Sequence, residues 1–154
     1  MAIVAQDATA AQAKPDLIVY DITWSPSNPT PGDYATITVT IKNVGTKDIR
    51  NKLFSNQVEY YLPGVGGYSW LESFSNLKVD SYVSFHVTSW ALSEGTYTLR
   101  AWADERGWID ESDEGNNERI ESMPVYGHEN TPPVSVINDI TPGRVSEGGY
   151  VDFM

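Results

Sequence analysis

Residues Tyr34–Asn43 read YATITVTIKN, and their period decides the fold. Ala35, Ile37, Val39 and Ile41 fall on one side of an extended chain, with Tyr34, Thr36, Thr38, Thr40 and Lys42 on the other. Successive side chains of a strand point to opposite faces, so this alternation of apolar and polar residues predicts a strand with one buried face. The same period recurs further along. Ser81–Trp90 sets Val83, Phe85 and Val87 against Tyr82, Ser84, His86 and Thr88, and Gly95–Asp104 gathers Tyr97, Leu99, Ala101 and Ala103. Val58, Tyr60 and Leu62 mark another strand, Asp16–Trp24 opens the series and Glu118–Tyr126 closes it. No window sustains a helical period.

Turn residues separate these segments: Pro26, Pro29, Pro31-Gly32, Asn43–Gly45, Pro63–Gly67 and Glu94-Gly95. Short alternating strands between such breaks predict an all-β chain, an immunoglobulin-like antiparallel β-sandwich of about seven strands. Tyr97, just after a glycine turn, is a candidate tyrosine corner, with plain core packing as the simpler reading.

Several chemistries are excluded outright. The 154 residues include no cysteine, which removes disulfides, thiolate zinc sites, iron–sulfur clusters and a cysteine nucleophile. A formal net charge of −11 argues against nucleic-acid binding, which needs clustered Lys and Arg, and against an anionic membrane surface. No apolar run is long enough to cross a bilayer as a helix. His86 and His128 lack the neighbours of a catalytic triad, and no phosphate-loop, dinucleotide or nucleophile-elbow motif occurs.

Pro15-Asp16-Leu17-Ile18-Val19, Ser25-Pro26, Pro31-Gly32 and Ile37–Thr46, followed by Gly95–Leu99, Ala103-Asp104 and Ile109–Asn117, resemble the CARDB domain, the cell-adhesion-related domain found in bacteria. The block Ile109-Asp110-Glu111-Ser112-Asp113-Glu114-Gly115-Asn116-Asn117 carries most of that resemblance, while Val65–Asp80 is longer and more aromatic than the usual family loop, which leaves strand register open there. It implies a seven-stranded immunoglobulin-like module of secreted or surface-anchored prokaryotic proteins, acting in adhesion or as a spacer rather than as an enzyme. Residues 15–126 form the expected domain, with 1–14 as linker or tail, 127–132 as hinge and 133–154 as the truncated start of a second immunoglobulin-like or PKD-like domain. An echo supports tandem modules: Asp21-Ile22-Thr23 and Asp139-Ile140-Thr141 each follow an apolar strand and precede a proline turn.

The most informative chemistry lies in Asp104–Glu121. Eight acids and two arginines give this segment six of the eleven net negative charges. Crowded carboxylates repel unless they are solvated or bridged by a cation, and calcium takes six to eight oxygens from carboxylates, amides and backbone carbonyls. Asp104, Glu111, Asp113, Glu114 and Asn117 are the candidate Ca2+ ligands. The alternative is an Asx turn with its charge in water. Asp110, Ser112, Glu114, Gly115 and Glu121 match EF-hand spacing, but the flanks read as strands and Asn117 takes a position normally apolar.

A second functional reading rests on Trp70, Trp90, Trp102 and Trp108 with Tyr61 and Tyr68, which would stack on sugar rings if exposed together; the chain would then be a carbohydrate-binding accessory module of an extracellular hydrolase. The plainer role for these rings is to plug sandwich ends. Expected partners are neighbouring domains of the same chain and a protein or glycan surface ligand, with no nucleic acid and no membrane insertion, the fragment itself being monomeric. Pro15 and Lys42 read as guards against strand addition at an edge.

Overall fold

The computed structural model describes residues 12–127. They form seven strands: β1 (Leu17–Ser25), β2 (Thr36–Asn43), β3 (Phe54–Leu62), β4 (Gly66–Phe74), β5 (Tyr82–Thr88), β6 (Gly95–Trp102) and β7 (Glu118–Val125). All pairings are antiparallel, in a three-stranded sheet ordered β1-β2-β5 and a four-stranded sheet ordered β4-β3-β6-β7. This is the expected sandwich. The expected tail up to residue 11, the hinge from residue 128 and the second domain at 133–154 lie outside the described residues.

The decisive segment becomes β2, the central strand of its sheet, with Ala35, Ile37, Val39 and Ile41 completely buried. Phe54, Val58, Leu99, Ala101, Met123 and Val125 meet them from the other sheet. A bulge in β1 between Val19 and Asp21 rephases the strand, so that Leu17, Val19 and Ile22 are all buried despite their uneven spacing. Tyr97 is buried and its hydroxyl accepts the Ser93 N–H at 3.0 Å, so core packing and a tyrosine corner are both realised.

One open register is settled and one expectation is corrected. Val65–Asp80 contains a complete edge strand, β4, paired with β3 along its whole length. Lys42 guards no edge, because β2 is the middle strand. Its ammonium pairs with Asp80 at 3.2 Å and lies over the rings of Tyr20 and Tyr82.

On the β1/β7 side the two sheets are tied by Arg119. Its guanidinium donates to the Tyr20 carbonyl at 2.7 Å and pairs with Glu121 at 2.7 Å. On the opposite side the sandwich ends in the free edges of β4 and β5.

Candidate functional site

The acidic segment is the connection from β6 to β7, and two of its acids are buried. Asp104 is 4% exposed and adopts a left-handed backbone (φ 41°), which Asp tolerates better than most residues. Its Oδ2 accepts the Ile109 N–H at 2.6 Å, its carbonyl accepts the Gly107 N–H at 2.7 Å, and its own N–H donates to Asn56 Oδ1. Oδ1 of Asp104 is buried with no hydrogen-bond partner.

Glu111 is 3% exposed. One carboxylate oxygen accepts the backbone N–H of Leu17, and the other accepts Asn117 Nδ2 at 2.8 Å. Burial pushes its carboxyl up from 4.5 to about 7, overriding those hydrogen bonds, and the neighbouring Glu114 and Asp104 add to the push. Asn117 spends its amide protons on Glu111 and the Ala103 carbonyl, which leaves Oδ1 buried and unpartnered. Asn116 Oδ1 is in the same condition.

The other two expected ligands sit outward. Glu114 is exposed and accepts the Glu111 N–H at 2.9 Å; Asp113 is exposed and caps the Gly115 N–H at 2.8 Å in an Asx turn. Glu111, Glu114 and Asn117 are thus joined by hydrogen bonds, Asp104 acts on Glu111 through its charge, and Asp113 serves the turn. Among the described residues, no three carboxylate or imidazole side chains converge as a ligand set. Among the described residues the buried side-chain acceptors without a partner are single oxygens of Asp104, Asn116 and Asn117, and these suit a cation better than they suit one another.

Sequence reasoning missed what anchors this loop. Asp16, at the start of the domain, accepts Ser112 Oγ at 2.7 Å and Asn116 Nδ2 at 2.8 Å, while Ser112 N–H donates to the Pro15 carbonyl at 2.9 Å. The Asp16 N–H in turn donates to Asn43, whose fully buried amide also holds Gly45, Lys47 and Leu77. Beside the loop lies a basic patch. Lys14 bonds Asp110 at 2.6 Å and holds that carboxyl below its usual range, and Lys47, Arg50 and Lys52 line the same cavity.

A loop locked to β1 by the DESDEGNN segment is what the resemblance rests on, and a family model named CARDB matches residues 14–121. The chain belongs to the CARDB family. No curated protein matches it. Among solved structures, the CARDB domain of a Pyrococcus furiosus protein, in complex with di-metal ions, is 24% identical with a TM-score of 0.56, over 75% of this chain and 97% of that one. A domain of a protein assigned to the cell surface of Methanosarcina acetivorans is 23% identical with a TM-score of 0.54, over 76% and 98%. At such identity these two speak for the fold, and they agree with the two antiparallel sheets.

The aromatic residues of this CARDB domain separate into groups. Tyr61 and Trp102 lie on the outer face of the four-stranded sheet, where Arg100 stacks on Trp102 at 4.5 Å. Trp108 lies beneath Arg106 in the acidic loop. Tyr68, Trp70 and Trp90 gather at the open β4/β5 side. His86 is exposed on the outer face of β5; His128 lies outside the described residues.

Proposed function

We propose that this CARDB domain is a non-catalytic spacer or adhesion module of a large secreted or cell-surface prokaryotic protein, braced by calcium in the Asp104–Asn117 loop. The observation that carries the calcium reading is the pair of buried, unpartnered oxygens on Asp104 and Asn117, in the loop that also buries Glu111, whose carboxylate pairs with no cation among the described residues. Unpaired buried acceptors cost about 1–3 kcal/mol each, and a cation coordinated by them would remove that cost. The di-metal ions of the Pyrococcus furiosus domain support the same reading.

Asp104 and Asn117 fit as inner ligands, Glu111 as the carboxylate whose charge the ion neutralises, and Glu114 and Asp113 as outer oxygens on exposed side chains. The cation would fasten to β1 a long loop that has no disulfide. A surface role is supported by the Methanosarcina acetivorans relative and by the family. The test is calorimetric titration of the chain with calcium. Millimolar or tighter binding that Asp104→Asn abolishes supports the reading; no heat in the wild-type chain refutes it.

A further inference from the structure

The open side of the sandwich carries a feature that a spacer does not need. Tyr68 and Trp70 of β4 stand opposite Tyr60 and Val58 of β3, and so share the face that elsewhere forms the core. The smaller sheet stops at β5, so this face of β4 overhangs it, and Tyr68 and Trp70 remain 54% and 51% exposed. Trp90, just past β5, is 63% exposed. Its ring lies 5.5 Å from that of Tyr68, with 34° between the planes, and Tyr68 lies 5.6 Å from Tyr60. Three large rings left in water beside one another are an unusual outlay of apolar surface and mark interaction sites.

The arrangement is held in place. The Tyr60 hydroxyl accepts the Trp90 N–H at 3.0 Å, and the Tyr97 hydroxyl accepts the Ser93 N–H at 3.0 Å, so two buried tyrosines fix the segment that presents Trp90. Gly67 lets the β3–β4 hairpin close, since a Cβ there would come within 2.4 Å of the Tyr60 carbonyl. On the two sides of the Tyr68–Trp90 pair lie cavities of about 370 and 290 Å3 that share Tyr60, Tyr68 and Trp90 in their walls.

We propose that this cleft binds a neutral oligosaccharide of pyranose sugars. None of the residues lining either cavity is charged, although one residue in five of the chain is, so ionic ligands find no partner there. What the lining offers is ring faces, for the C–H face of a pyranose, and the hydroxyls of Ser93 and the tyrosines, for sugar hydroxyls. Small-molecule sites combine apolar walls and a few placed polar groups in this manner. An added peptide strand would pair with the backbone edge of β4 and leave these ring faces unused.

The test is affinity electrophoresis of the chain through gels containing laminarin, galactomannan, xyloglucan or, as a charged control, polygalacturonate, with indole NMR shifts read in parallel. At least one neutral glycan should retard the protein and shift the Trp70 and Trp90 indoles. Trp90→Ala and Trp70→Ala, both at exposed positions, should weaken retardation tenfold or more, while Trp108→Ala leaves it intact. Free migration in every neutral gel, or retardation that survives both substitutions, overturns the proposal, as does binding of an apolar peptide at these indoles with no glycan response. Because the calcium loop is formed by other residues, either result is independent of calcium binding.

Discussion

The carboxylate of Glu111, in the β6–β7 connection, accepts the backbone N–H of Leu17, the first residue of β1, across 94 residues of sequence. The bond joins the acidic loop to the opposite sheet of the sandwich, and it does so from a site where burial disfavours the charge that makes the bond strong. Most of what distinguishes this domain follows from that tension.

Its first consequence is a pH dependence. The folded chain holds the Glu111 proton up to about pH 7, against an ordinary value of 4.5. Because the raised carboxyl binds its proton more tightly folded than unfolded, stability from this group is full at low pH and declines as pH rises from about 4.5 to about 7. The total is at most about 3 kcal/mol, at about 1.4 kcal/mol per pH unit. Urea denaturation between pH 5 and 8 should show the decline in calcium-free buffer, and Glu111→Gln should flatten it. Glu111→Ala, which strands the Leu17 N–H and the Asn117 amide, should cost about 2–4 kcal/mol near pH 5, where the stabilising proton is in place, and less at pH 8.

Asn43 predicts a larger loss. Its buried amide accepts from Asp16 and Gly45 and donates to Lys47 and Leu77, so four backbone groups depend on it. Asn43→Leu should destabilise by about 3–5 kcal/mol in chemical denaturation. Asn43→Asp should be comparably severe, since it turns an acceptor toward two carbonyls.

Gly45 predicts a steric effect at the same junction. A Cβ there would fall 2.5 Å from backbone atoms of Lys14, Pro15 and Asp16, and the carbonyls of Lys14 and Asp16 accept the N–H groups of Thr46 and Val44. Gly45→Ala should cost about 2 kcal/mol or more and loosen amide protection at Val44 and Thr46.

Tyr97→Phe isolates the tyrosine corner. It removes only the hydroxyl that holds Ser93, and should lower stability by about 1 kcal/mol and Tm by a few degrees.

The legibility of this fold tracks burial. β2, β5 and β6 each bury one face, and their alternation could be read directly from YATITVTIKN and its counterparts. β4 (GGYSWLESF) could not be read that way, because both of its faces are largely exposed and its inner face is aromatic rather than sorted. Its edge position, not its propensity, erased the pattern. Lys42 was misplaced for a related reason: a charge on a strand signals water on one face, and β2 meets water on its outer face while remaining central. At the loop, the crowded acids and the Asx turn were visible in the spacing. Which acids are buried was not, since Asp104 and Glu111 owe their burial to Asn56, Leu17 and the Asp16–Asn116 contact, partners remote in sequence. The clustering of Tyr68, Trp70 and Trp90 likewise depends on which strands end the two sheets.

The most direct test of the calcium-braced loop is the melting temperature measured at pH 8 with and without 5 mM calcium, a concentration chosen against dissociation constants of about 10⁻⁴–10⁻³ M for extracellular modules. Occupancy in that range adds about 1–2 kcal/mol, so Tm should rise by several degrees in the wild-type chain and stay fixed in Asp104→Asn. Superimposable wild-type melting curves with and without calcium would contradict the account.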